Sequence, residues 1–307
     1  MVLVIIGSKG FIGSHCKAYF ESAGHEVINC DIQEIVEKNY YSIGQLNNDY
    51  SALFKTKPVD FCINAAGSAN VAYSYQFPEK DFELNVSLVI NLLGAIKNFS
   101  PACKFINFSS AAVYGNPSQL PIKENSELKP LSPYGYHKML SEKLLTEYHH
   151  FFNLKTCSLR VFSAYGPGLK KQLFWDVFQK SKKSKVIQLY GTGMESRDFI
   201  SITDLITAVD LIMKYGSFCG EAVNIASGKE TFIKNAVETF IKAYDKGIQI
   251  EFSNEQKEGD PVNWCADISY LKTLGFKPNP ELFPGLKDYS DWLNTNVAEQ
   301  KENNKFF

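Results

Sequence analysis

Through the first two-thirds of the chain, short apolar and β-branched runs alternate with longer stretches whose apolar residues recur every three or four positions. Val2–Ile6, Glu26–Asp31, Asp60–Asn64, Lys104–Phe108 and Lys155–Val161 read as buried strands. Phe11–Ala23, Lys80–Phe99 and Tyr134–Phe152 read as helices between them. Strands alternating with helices imply crossover connections, and so an α/β fold: a doubly wound parallel sheet with helices on both faces. Ligands of such a sheet bind beyond the carboxyl ends of its strands, so chemistry is sought in the segment that follows each strand.

After Arg160 the pattern loosens. Gly166, Pro167 and Gly168 break the chain, a helix is predicted over Leu173–Ser181, and the turn Gly191–Gly193 leads toward another over Thr203–Tyr215. Ala222–Ile225 reads as one more buried strand, and amphipathic helices continue to about Trp292. The basic run Lys180–Lys185 reads as a solvated helix end. At 307 residues, one large domain or two closely joined ones are expected.

Charge narrows the classes of function. Lys and Arg number 32 against 33 Asp and Glu, so no overall positive field would hold nucleic acid or an anionic membrane. Any anionic ligand must be held by a local set of donors. No apolar run reaches the ~18 residues of a membrane span, and Val2–Ile6 is too short for a signal-peptide core. The 7 cysteines are scattered and contain no CxxC, and the 5 histidines show no metal-ligand spacing. A metal-free protein of the cytoplasm is the expectation.

Gly7-Ser-Lys-Gly10-Phe-Ile-Gly13 directly follows the first strand and opens a helix. Gly7 allows the tight turn, Gly10 lets the backbone approach a pyrophosphate, and Gly13 permits close helix–strand packing. Asp31 ends the second strand, where a carboxylate can accept both ribose hydroxyls of NAD and repel the 2′-phosphate of NADP. No Lys or Arg follows it until Lys38, so no counter-charge for a phosphate is evident. A second group is Ser109-Ser110-Ala111-Ala112-Val-Tyr114-Gly115, after the strand Lys104–Phe108. A third is Ser132-Pro133-Tyr134-Gly-Tyr-His-Lys138, where Tyr134 and Lys138 share one helix face. A free Tyr titrates near ~10, and a fixed ammonium favours its phenolate.

The order GxxGFIGS, Asp31, NAAG (Asn64–Gly67), Asn85-Val86, SSAAVYG, SPYGxxK, LRVFSAYGPG and GTGMESRDFISITD resembles the extended short-chain dehydrogenases of the NAD-dependent epimerase/dehydratase family, over roughly residues 1–295. The resemblance implies an NAD-binding Rossmann domain of residues 1–163 and 199–226, and a smaller nucleotide-sugar domain of 164–198 and 227–307. Its cofactor site would comprise Gly7, Gly10, Phe11, Ile12, Gly13, Asp31, Ala65, Ala66, Gly67 and Asn85, joined by Tyr134 and Lys138. Ser110 would bind the reacting hydroxyl, Tyr134 would be the base, and Lys138 would hold the nicotinamide ribose. Arg197 would grip the diphosphate of a nucleotide-diphosphate sugar. Homodimers would form through the helices Lys80–Phe99 and Tyr134–Phe152.

Departures from the family pattern narrow the reaction. Dehydratases of the family read Thr-Asp-Glu where this chain has Ser110-Ala111-Ala112, and decarboxylases carry Glu at the position of Ala112. Two alanines supply no proton donor or acceptor, which argues against both reactions. Ser163 replaces an Asn that touches the diphosphate, and a second diphosphate arginine is replaced by Lys257 or lost. The family's adenine-contacting Asp is not evident around Tyr40–Leu46. Inversion at C4 of a UDP-hexose through a transient 4-keto sugar is the favoured expectation. A reductase of a 4-keto-6-deoxy sugar is the alternative, and a non-catalytic NAD-sensing module the third reading.

Overall fold

The computed structural model describes residues 1–244, 247–255, 259–279 and 281–303; for residues 45, 46 and 297–303 only the backbone is described. Seven strands form one parallel sheet: β1 (Val2–Ile6), β2 (Glu26–Asp31), β3 (Tyr40–Ser42), β4 (Phe61–Asn64), β5 (Lys104–Ser110), β6 (Lys155–Val161) and β7 (Cys219–Ile225). Their order across the sheet is β7-β6-β5-β4-β1-β2-β3. The chain therefore winds outward in one direction from β1 to β3 and in the other from β4 to β7. The β1/β4 boundary is the point where a crevice opens at the strands' carboxyl ends.

Alternation along the strands sorts side chains between two cores. Leu3, Ile5, Ile63, Ile106 and Leu159 face helices α1 (Phe11–Ser22) and α4 (Ile202–Tyr215), meeting Cys16, Phe20, Leu205 and Val209. Val4, Ile6, Cys62 and Phe105 face the opposite way, onto Val89, Leu92 and Ile96 of α2 (Leu88–Phe99) and Leu145 of α3 (Pro133–Phe152). A third apolar cluster gathers Phe174, Phe178, Phe199, Phe240 and Tyr289 from beyond the β6 end. Two small sheets accompany it: Ser196–Ser201 pairs with Ser163–Tyr165 and Glu230–Phe232, and Val186–Leu189 with Gln249–Phe252.

Two expected elements change on contact with tertiary structure, and one unexpected strand forms. The helix expected over Lys80–Phe99 is interrupted: Pro78–Phe82 is α-helical, Glu83–Ser87 winds as a π-helix, and α2 follows. The strand expected over Lys104–Phe108 continues to Ser110, because β6 extends alongside as far as Val161 and pairs Ser109 with Arg160. Tyr40–Ser42 joins the sheet edge as β3, pairing with Asn29, Cys30 and Asp31. Among the described residues, no helix is long and apolar enough to cross a membrane, and no group of His, Cys, Asp and Glu could hold a metal.

Candidate active site

The loop after β1 is shaped by backbone crowding. Gly7 has φ +78°, and a Cβ there would lie 2.6 Å from the Ala66 nitrogen; at Gly13 it would fall 2.0 Å from the Gly7 oxygen. Only glycine permits this approach of loop, α1 and the Ala65-Ala66 turn. Gly10 caps α1 without a side-chain hydrogen bond, and no acidic residue occupies the first turn. The helix N-terminus is thus left to an external anion.

Asp31 is buried at the end of β2. Its Oδ2 accepts the Lys9 N–H and its Oδ1 the Ile32 N–H, both at 2.7 Å. Each oxygen keeps a lone pair for a ribose hydroxyl. Lys9 and Lys17 each place Nζ 3.2 Å from the Glu37 carboxylate. Both ammonium groups are thus engaged by an acid from the loop after β2.

Across the switch point, Ala65 donates its N–H to the Ile6 carbonyl (2.9 Å). Asn64 anchors the same turn through Ala66 N–H and donates to Asn107. A Cβ at Gly67 would lie 2.6 Å from Asn85 Oδ1 and 3.5 Å from Lys138 Nζ, so the turn, the π-helix and α3 converge here. Asn85 is buried, and neither polar atom of its side chain has a hydrogen-bond partner; Ser8 Oγ is orphaned likewise. Buried groups left unpaired call for a partner. Crowded glycines, an uncapped helix end, the Asp31 lone pairs and these orphans together fit a dinucleotide.

Ser110 ends β5 and accepts the Ala112 N–H through its hydroxyl (3.1 Å). Ser132 caps α3 by accepting the Gly135 N–H, with Pro133 in the first turn. That start fixes the rotation of α3 and aims Tyr134 and Lys138 inward; both are buried. Lys138 Nζ donates to the Phe108 carbonyl (2.8 Å) and lies 6.0 Å from the Tyr134 ring centre. Burial pushes the Tyr134 phenol up to about 12; the Ser110 hydroxyl pulls it down and Asp81 adds to the rise. Burial also presses the Lys138 ammonium down to about 8, opposed by Asp81 and reinforced by Lys171.

Asp81 and Lys171 were not legible as site residues. Asp81 is fully buried, and its Oδ2 accepts the His137 Nδ1–H (2.6 Å) while Oδ1 is unpaired. The available signal was its position, four residues before Asn85. Lys171 precedes the helix Gln172–Ser181 and lines a cavity of about 600 Å³ together with Ser110, Ala112, Tyr134, Ser163 and Arg197.

Arg197 extends from the strand Ser196–Ser201, donates to the Ser196 and Val262 carbonyls (2.8 and 3.1 Å), and lies over the Trp264 ring. Burial lowers its pKa, with Asp260 and Glu195 opposing. Among the described residues, no carboxylate stands within ion-pair distance of its guanidinium. Lys257 lies outside the described residues.

A doubly wound sheet with a dinucleotide cradle at its switch point and Ser110, Tyr134 and Lys138 beside it defines a short-chain dehydrogenase-type oxidoreductase scaffold. Residues 3–226 match the model of the NAD dependent epimerase/dehydratase family. The chain belongs to that family. It is 28% identical to a putative UDP-glucose 4-epimerase of Methanocaldococcus jannaschii, covering 96% of this chain and 99% of that one. A UDP-glucuronate 4-epimerase of Thermodesulfobacterium geofontis is 27% identical, with 96% of each chain covered. The fold superposes on the UDP-glucuronic acid 4-epimerase of Bacillus cereus, solved with UDP-glucuronic acid and NAD, with a TM-score of 0.86 at 27% identity, over 96% of this chain and 99% of that one.

Proposed function

We propose that the protein is an NAD-dependent nucleotide-sugar epimerase that inverts C4 of a UDP-hexose through a 4-keto sugar. The observation that carries this reading is the poverty of the cavity floor beside Tyr134. Ser110 and Tyr134 provide hydroxyls there, while Ala112 beside them and the buried Ala111 behind provide no further acid or base. Such a set can remove and return one proton but cannot drive elimination of water or loss of a carboxylate. Gly7, Gly10, Phe11, Ile12, Gly13, Asp31, Ala65, Ala66, Gly67 and Asn85 hold the dinucleotide, with Lys138 on the nicotinamide ribose. NAD, once bound, supplies a hydride acceptor with a positive ring and afterwards the hydride donor. Ser110 orients the C4 hydroxyl, Tyr134 Oη takes its proton, and the same proton returns to the ketone oxygen after the sugar has turned over. The similarity to 4-epimerases supports this assignment.

With deuterium at C4 of the substrate and no cofactor added, the label stays on C4 of the inverted product. Net consumption of NADH on a 4-keto sugar, with no inversion of any UDP-hexose, would make the protein a reductase instead. Arg197 and Ser163 contact the diphosphate in this reading. Arg197→Ala then removes a charge-assisted bond and raises the substrate dissociation constant about 10- to 100-fold, with NAD affinity unchanged. If calorimetry shows only NAD binding weakened, Arg197 serves the other ligand.

The segment 164–198 with 227–307 acts as the sugar-binding part, against the dinucleotide-binding 1–163 with 199–226. Pairs of chains associate through α3 and the Pro78–Phe99 helices, where Leu84, Ile90, Tyr136 and Leu140 keep apolar side chains exposed. The cytoplasm suits its free cysteines.

A further inference from the structure

Around the ribose carboxylate stands an arrangement that binding of NAD does not require. Lys9 sits inside the glycine loop, and its backbone N–H donates to Asp31 Oδ2. Its ammonium is 3.2 Å from Glu37 and rests 5.5 Å from the centre of the Tyr40 ring. Lys17, further along α1, also meets Glu37 at 3.2 Å and has Glu21 at 4.0 Å. One carboxylate therefore occupies both lysines. We propose that Glu37 is a specificity-determining residue of the cofactor site, withholding Lys9 and Lys17 from a ribose 2′-phosphate and so keeping the protein selective for NAD over NADP together with Asp31.

The charges give the sign. A phosphate monoester brings about −1.5 to −2 charges at neutral pH. With Glu37 present it meets the Asp31 and Glu37 carboxylates and two lysines already paired. Without the Glu37 charge, Lys9 is free to turn toward the ribose edge beside Asp31. NAD, with plain hydroxyls there, has no such stake. The loop that carries Glu37 is held by other bonds: Tyr40 Oη donates to the Gln33 carbonyl (2.8 Å) and the Asn29 N–H to the Asn39 carbonyl (2.7 Å). Glu37 itself is 41% exposed, so its replacement by Gln leaves the fold standing.

This inference rests on the assignment of the cradle as an NAD site, and the test separates the two. The full-length chain, stripped of nucleotide by charcoal, is titrated calorimetrically with NAD⁺ and with NADP⁺ at low ionic strength. In Glu37→Gln the NADP⁺ dissociation constant falls about five- to tenfold, while that for NAD⁺ stays within about twofold. The gain vanishes in Lys9→Met/Glu37→Gln and shrinks as salt is raised. Unchanged NADP⁺ binding, or equal changes for both cofactors, overturns the role of Glu37. Failure of the unaltered protein to bind NAD⁺ at all overturns the cofactor-site assignment instead.

Discussion

Turnover of Tyr134→Phe falls by at least the about 10²–10⁴-fold that a positioned acid–base group contributes, while the substrate dissociation constant changes little. The phenol is buried and pushed up to about 12, so at neutral pH an isolated Tyr134 would be a poor base. It needs the positive charge of Lys138 and of the oxidised nicotinamide to ionise as it accepts a proton. Phe keeps the ring packing and removes the only atom that can carry out the transfer. Lys138→Ala behaves differently, weakening NAD binding as well as rate.

Burial presses the Lys138 ammonium down to about 8. Its charge is present below that value and lost above it, so kcat/KM of the unaltered protein falls on that alkaline side. Near-native turnover in Tyr134→Phe would remove Tyr134 from the mechanism. A kcat loss matched by an equal rise in substrate dissociation constant would make it a binding residue.

Much of the site was legible because its parts are local. The loop Gly7–Gly13 announces itself through glycines whose spacing obeys short-range sterics, and Tyr134 and Lys138 through one helical turn. The sheet was legible where a strand carries a continuous apolar run, as β1 does. β3 was not: Tyr40–Ser42 is a three-residue edge strand with no apolar run, and it forms because β2 offers an open edge. Nor was the π-helix at Glu83–Ser87, since an apolar pattern of helical period does not reveal one wide turn. That turn sets Asn85 against Gly67, and π-bulges are frequent at functional sites.

Charge pairs joining distant segments were the least legible part. Lys9 and Glu37, Asp81 and His137, and Glu142 and Arg160 are each unremarkable polar residues along the chain. Only the fold brings them together. Lys9 lies inside the glycine motif, and its ion pair with Glu37 exists only in the fold. Arg160 looked like the end of a strand pattern, yet it is the centre of a buried network on which the Ser110 strand depends.

Removing Arg160 therefore destabilises the fold severely. Its Nε donates to both oxygens of Glu142 (3.0 and 3.2 Å), Nη2 donates to Oε2 (2.8 Å), and Nη1 donates to Tyr114 Oη (2.8 Å) and the Glu124 carbonyl (2.7 Å). Ser109 Oγ donates to the same Glu142, and Tyr114 Oη to Asn224. Arg160 is 5% and Glu142 6% exposed. Burial alone would lower the guanidinium pKa; Glu142 and Tyr114 outweigh it and raise the value. Arg160→Leu leaves Glu142 buried with the Ser109 hydroxyl as its remaining side-chain hydrogen-bond donor among the described residues. Breaking a buried pair in this way costs about 3–5 kcal/mol, read as a lower urea midpoint for the nucleotide-stripped protein.

The pair need not be stabilising relative to apolar residues of similar size. Arg160→Met/Glu142→Leu is accordingly expected to cost less than the sum of its two single changes, because neither variant residue strands a charge. Strict additivity in that cycle would show that the two side chains act independently. A loss under about 1 kcal/mol in Arg160→Leu would mean that water reaches Glu142 and that the network does not anchor β5 beneath Ser110.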